Sequence, residues 1–243
     1  MTSTMEYSQE IVCFIISKGN YTLENQPKLQ SFQKQIWSQY MNINPKIKSY
    51  FIELNNQIDK DFEESTTLDG YPVIFFKGEE SVIPGIFTKR QKAFQFALDN
   101  FKNLKYVIQT NLSSFFIWDK MRAFLPNNVP KHFIMGMKWS GFPSGCGSVY
   151  GKDVAQIIAS STINPSLEHD DCTIGKILLQ NNIHNYNGYY HMSHDLNTVP
   201  FHCYHLRARI NPALNEDERV SFEIPFMINA LEKYYNIKLP TEL

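Results

Sequence analysis

Residues Ile11-Val12-Cys13-Phe14-Ile15-Ile16 form an unbroken apolar run that closes on Ser17-Lys18-Gly19-Asn20. A segment apolar at every position, rather than at every second one, reads as a strand covered on both faces. Such strands belong to largely parallel sheets sandwiched between helices. The run is too short to cross a bilayer, and Glu6 and Glu10 precede it where a signal peptide would be basic. The rest of the chain alternates helix and strand as that reading requires. Between Pro27 and Met41, the residues Leu29, Phe32, Ile36, Trp37 and Tyr40 recur at helical spacing and make one apolar face that should cover the sheet. Ser49 to Leu54 and Tyr71 to Phe76 read as strands separated by an acidic loop. Pro84-Gly85 opens a helix carrying Phe87, Phe94 and Phe101, and Leu104 to Ile108 resumes a strand. Strand-like text at His132 to Lys138 and Gly147 to Tyr150 leads to helices near Lys152 to Ser160 and Asp171 to Leu179, with a last helix around Pro225 to Tyr235. The pattern implies an α/β fold with helices on both faces of the sheet. At 243 residues the chain is near the size at which one core stops growing, so residues 1–243 should form a single domain.

Composition narrows the function classes. With 43% hydrophobic residues, the chain can fill an interior and is not a disordered one. A formal charge of -1 supplies no broad basic field, which argues against a nucleic acid partner and against an anionic membrane surface. The cysteines Cys13, Cys146, Cys172 and Cys203 show no CxxC pair and no metal-ligand spacing, so they read as buried thiols.

Three segments carry polar chemistry. In open α/β sheets ligands bind beyond the carboxyl ends of the strands, which directs attention to Ser17 to Asn20 and to Gln109 to Ser114. Glycines around Cys146 in Gly141-Phe142-Pro143-Ser144-Gly145-Cys146-Gly147-Ser148 would let a ligand approach the backbone closely. In Glu168-His169-Asp170-Asp171-Cys172-Thr173-Ile174-Gly175, two adjacent carboxylates stand where an apolar helix begins. Asp170 can cap the amide of Thr173, and Asp171 in the first turn should stay ionised in the field of the helix N-terminus. The pair is either a general base on a rigid element or an ordinary helix cap.

Taken in order, these segments resemble the fringe and β-1,3-galactosyltransferase superfamily of nucleotide-sugar glycosyltransferases. Tyr106-Val107-Ile108-Gln109-Thr110 is similar to the strand that leads into that family's aspartate metal motif. Pro143 to Tyr150 resembles its small-residue acceptor loop, and Asp170-Asp171-Cys172-Thr173-Ile174-Gly175 resembles the fringe acidic motif. The resemblance implies a GT-A-like fold, a mixed and mainly parallel central sheet flanked by helices. Residues 10–115 would be a Rossmann-like nucleotide-sugar-binding half and residues 116–243 the acceptor half. It further implies inverting transfer of a sugar from a UDP-sugar to a hydroxyl of a glycan or glycoprotein, with Asp171 or Asp170 as base. Ser17, Lys18, Lys89, Thr110, Asn111, Ser113, His205 and Arg207 would contact the donor. Trp139, Ser144, Gly145, Cys146 and Gly147 would contact the acceptor.

The sequence departs from the family at the metal. Where aspartates would hold Mn2+ or Mg2+ stand Asn111, Leu112 and Ser113, so metal independence is the expectation. Asn111, Ser113, His202 and His205 remain the only metal candidates, and a zinc grouping of His202 and His205 with His191 and His194 is a further alternative. Lys18, Lys89, Arg90, Arg207 and Arg209 are the cations that could answer a diphosphate instead. The absence of a targeting or spanning segment suggests a soluble microbial or viral enzyme, acting in the cytoplasm, host cytoplasm or virion. The rival readings are a noncatalytic nucleotide-sugar or glycan-binding module of the same fold and an unrelated metal-dependent hydrolase.

Overall fold

The computed structural model of the chain describes residues 7–19, 27–67, 70–139, 142–165, 168–184, 196–209, 211 and 213–240, without the side chains of 138 and 139. Its strands are β1 (Ile11–Ile16), β2 (Ile47–Asn55), β3 (Phe62–Thr66), β4 (Pro72–Lys77), β5 (Tyr106–Asn111), β6 (Ser114–Phe116), β7 (Ile134–Trp139), β8 (Phe142–Gly151) and β9 (His205–Arg207). Its helices are α1 (Lys28–Tyr40), α2 (Gly85–Asn100), α3 (Trp118–Phe124), α4 (Lys152–Ala159), α5 (Asp170–Gln180) and α6 (Glu216–Tyr235). A seven-stranded sheet runs in the order β3-β4-β2-β1-β5-β8-β7. The β1–β2, β1–β5 and β2–β4 pairs are parallel, and β3–β4, β5–β8 and β8–β7 are antiparallel. The sheet is thus mixed and mainly parallel at its centre, as the alternating pattern requires.

The unbroken apolar run of β1 reflects its place between two cores. Ile11, Cys13 and Ile15 pack with Trp37 and Tyr40 of α1, Trp118 of α3, and Met227 and Leu231 of α6. Val12 and Phe14 point the other way, into Phe94 and Ala97 of α2, Ile158 of α4, and Ile174 and Ile177 of α5. Successive strand residues face opposite sides, so a strand between two apolar layers has no polar position to offer.

Several elements depart from the sequence reading. The acidic loop contains β3, an edge strand exposed along its whole length. Its glutamates suit an edge that must not pair with another chain, but they erase the apolar signal of a strand. The small-residue loop is largely strand β8, and the last helix begins well before Pro225. A capping box sets that start: the Glu218 amide donates to Asn215 Oδ1 at 3.0 Å, and the Asn215 amide donates to Glu218 Oε2 at 2.8 Å.

Connectivity fixes where a ligand can enter. The β1-α1-β2 unit leaves β1 on one side, while β4-α2-β5 returns on the other side and by the opposite face. The carboxyl ends of β1 and β5 therefore flank a topological switch point, the place where such sheets open a crevice. No described helix is long and apolar enough to cross a membrane.

Candidate active site

At the N-terminus of α5 the acidic pair does something other than cap. The Thr173 amide donates to the His169 carbonyl at 3.1 Å, and no side chain caps the helix. Both carboxylates turn instead to Arg90 of α2, whose side chain is wholly buried. Arg90 Nη1 donates to Asp170 and, at 2.9 Å, to Asp171 Oδ1, while Nη2 donates to the Tyr150 hydroxyl at 3.1 Å. A desolvated guanidinium needs anions more than an exposed helix end needs a cap, and this overturns the capping expectation for Asp170.

The two carboxylates are not equivalent. Asp171 keeps 34% of its side chain exposed against 14% for Asp170, so Asp171 is the more accessible of the two. Burial raises the Asp171 pKa, and Asp170 adds to the rise; Arg90 and the Gly145 amide pull the other way. Desolvation is the largest of these effects, so the net direction is upward.

Strand β8 brings the backbone to this pair. The Gly145 amide donates to Asp171 Oδ2 at 2.8 Å, and a Cβ on Gly145 would stand 2.7 Å from Asp171 Oδ1. A Cβ on Gly147 would meet the His205 ring in the same way. These glycines admit the protein's own side chains against the strand. Cys146 is buried, and its carbonyl accepts from Thr110 Oγ1 at 2.7 Å and from Ser114; Ser144 Oγ lies 3.1 Å from Cys146 Sγ. Thr110 is itself fully buried and so braces β5 against β8.

Beyond β5 the turn Asn111 to Ser113 opens into a cleft of about 390 Å³ at the switch point, lined by Ile16, Gln30, Gln33, Glu216 and three arginines, Arg207, Arg209 and Arg219. Arg207 donates to Asn111 Oδ1 and, at 3.3 Å, to Ser114 Oγ. Arg219 donates to Ser113 Oγ at 3.1 Å and to Glu223 at 2.6 Å. Burial, together with Arg219 and Arg207, pushes the Arg209 pKa down, against the pull of Glu223. The cleft and the acidic pair are joined: Asn111 Nδ2 donates to the Gly145 carbonyl at 3.3 Å, and the Gly145 amide holds Asp171.

A divalent cation does not fit this turn. Asn111 Oδ1 accepts from Arg207, Ser113 Oγ accepts from Arg219 and from Gln33 at 3.3 Å, and the Leu112 carbonyl accepts from the Trp37 indole at 3.0 Å. The neutral oxygens are already engaged by donors, and an ion there would face guanidiniums. Among the described residues no three His, Cys, Asp or Glu side chains gather so as to hold a metal.

A smaller cavity of about 220 Å³ shares Ile16 and Gln30 with the cleft and is lined by Ser17, Lys18, Glu80, Val82, Ile86 and Lys89. Lys89 is buried with its ammonium on Glu80 at 2.9 Å and the Ser17 carbonyl at 2.7 Å. It braces the end of β1 from the wall of this cavity. Ser17 Oγ donates to Glu53 at 2.7 Å, and Lys18 is exposed.

The histidine candidates separate. His202 is exposed, whereas His205 is buried and stacked on Phe116 at 4.5 Å. His191 and His194 lie outside the described residues, as does the Trp139 side chain; Trp37 and Trp118 are core. Burial, with help from Arg207, pushes His205 down to about 3. The unfolded chain takes up a proton near pH 6.5 that the folded chain refuses, so stability is full above about pH 6.5 and declines toward pH 3. Denaturation midpoints of wild type and His205→Gln across that window should show the variant losing an acid-side slope of up to about 1.4 kcal/mol per pH unit.

Sequence reasoning missed Arg219, Gln33 and Glu223, all on helical faces with no local motif; Arg90, one of several cations that could answer a diphosphate, clamps the carboxylates. At the sequence level no family model and no curated protein matches the chain. Among solved structures, a glycosyltransferase involved in the glycosylation of the major capsid of PBCV-1 superposes with a TM-score of 0.50 at 13% identity, covering 89% of this chain and 98% of that one. The catalytic domain of Drosophila β1,4-galactosyltransferase 7, in complex with xylobiose, gives a TM-score of 0.39 at 9% identity over 74% of this chain and 64% of that one. The first likeness, with the sheet order and its flanking helices, shows a GT-A-like fold, a mixed and mainly parallel sheet between helices.

Proposed function

We propose that the chain transfers a sugar from a UDP-sugar to a hydroxyl of a glycan or glycoprotein, with inversion and with Asp171 as general base. The observation that carries this reading is the bridge from Asp171 through Gly145 to Asn111 and the arginine cleft, which joins a partly exposed carboxylate to a cationic crevice at the switch point. Two carboxylates on one guanidinium leave one net negative charge, enough for a single base. In the reaction Asp171 takes the acceptor's hydroxyl proton as that oxygen bonds to the anomeric carbon. The bond from that carbon to the diphosphate breaks on the opposite face, and its electron pair leaves on the phosphate oxygen. Asp170 and Arg90 fix the carboxylate, and the acceptor lies along Ser144 to Gly147. The smaller cavity beside Ser17 and Lys18 takes the nucleoside end. The donor site draws on both halves of the chain, since Arg207, Arg209 and Arg219 come from beyond residue 116.

A panel of UDP-sugars tests this by UDP release with and without glycan acceptors. Tight UDP binding with no turnover on any donor and acceptor would return the chain to the binding-module reading. Gly145→Ala is expected to push Asp171 off the strand amide and to lower kcat by roughly 10- to 100-fold, with UDP affinity unchanged.

A further inference from the structure

The switch-point cleft raises a question the acidic pair does not answer: what neutralises a leaving diphosphate beside a turn whose oxygens fit no metal. We propose that Arg207, Arg209 and Arg219 bind the diphosphate of the nucleotide donor directly, without a divalent cation. This rests on the nucleotide-sugar reading above and specifies the chemistry of its donor site.

Three guanidiniums converge on one crevice of about 390 Å³, a volume suited to a small ligand. Among the described residues two carboxylates stand beside them. Glu223 is buried between Arg219 and Gln33, and Glu216, on the rim, accepts from the Leu29 amide at 3.1 Å. All three guanidiniums line the one crevice, and burial, followed by Arg219 and Arg207, pushes the Arg209 pKa down. A guanidinium presents a planar fork that matches phosphate oxygens, and a pre-oriented fork needs little ordering on binding. The orientation comes from the β5–β6 turn: Asn111 and Ser114 hold Arg207, and Ser113 holds Arg219.

The neutrality of that turn is the central point. Aspartate at 111 or 113 would form an internal ion pair with the arginine it now only orients, and the site would be filled by the protein's own charge. Asn111 positions the Arg207 guanidinium without neutralising it, and Ser113 positions Arg219 beside Glu223 without adding a second carboxylate.

Calorimetric titration of the full chain with inorganic pyrophosphate and with UDP, in EDTA and then in Mn2+, tests the assignment. Both are expected to bind in EDTA, with Mn2+ changing affinity by less than about threefold and added salt weakening it. Arg209→Gln should weaken pyrophosphate by at least about tenfold. Asn111→Asp should weaken it comparably, and Mn2+ should not restore it. Binding of pyrophosphate only in the presence of Mn2+, or an Asn111→Asp variant that gains affinity with Mn2+, would overturn the proposal, as would wild-type protein that binds neither probe. Metal-free binding without sugar transfer would support the arginine site while refuting the transferase reading. UDP release that requires Mn2+ would do the reverse.

Discussion

Asp171→Asn is expected to reduce kcat by roughly 10²- to 10⁴-fold, the range for removing a positioned general base, while UDP binding stays unchanged. Asparagine keeps the size of the side chain, and its one carbonyl oxygen can accept from either Gly145 or Arg90, so unchanged UDP binding would show that the loss reports the missing proton acceptor and not a collapsed site. The pH profile carries a second signature. Burial and the Asp170 charge raise the Asp171 pKa, so the acid limb of the wild-type rate should lie above the ordinary carboxylate range. Asp170→Asn removes a like charge, and the limb should then move to lower pH while much of the rate survives. If Asp170→Asn abolishes turnover and Asp171→Asn does not, the two roles are exchanged. Equal and small effects from both would leave the chain without an identified base.

The largest expected effect on stability belongs to Arg90→Met. Removing one partner of a buried ionic cluster leaves the other uncompensated, at a cost of roughly 3–5 kcal/mol. Here two carboxylates and the Tyr150 hydroxyl lose their partner together. Urea denaturation should register the loss, with a fall in Tm on the order of 10 °C for a chain of this size. Adding Asp170→Asn and Asp171→Asn to Arg90→Met should recover part of it, because neutral amides no longer need the cation. The recovery should be incomplete, since the Tyr150 hydroxyl still lacks its donor. Arg90 Nε has no hydrogen-bond partner among the described residues, so the wild-type cluster already carries one unsatisfied donor. A loss below about 1 kcal/mol in Arg90→Met would show that the guanidinium is solvated and the clamp absent.

The layers of the fold were legible because burial writes itself into periodicity. β1 is apolar at consecutive positions since both its faces are covered, and α1 shows its stripe because one face meets the sheet. β3 was illegible for the same physical reason reversed, as an exposed acidic edge gives little apolar pattern to read. The start of α6 is written in the capping pair Asn215 and Glu218, while Pro225, a residue that more often opens a helix, stands inside it. For the site, the acidic pair stood out by its own spacing. Its true partner, Arg90, lies eighty residues away in the chain, where no local pattern could announce the contact. The same holds for Arg219, which reaches Ser113 from 106 residues away.

The packing of α6 on α1 bears on how the chain is made. The Leu29 amide finds its acceptor in Glu216, and Gln33 finds Glu223, across separations of 187 and 190 residues. During synthesis the first helix must wait, apolar stripe uncovered, until nearly the whole of this chain has left the ribosome. Contacts of such span form slowly, and the waiting surface invites chaperones and aggregation. Truncation within α6 should therefore reduce soluble yield in cells before any assay of the finished protein could detect a defect.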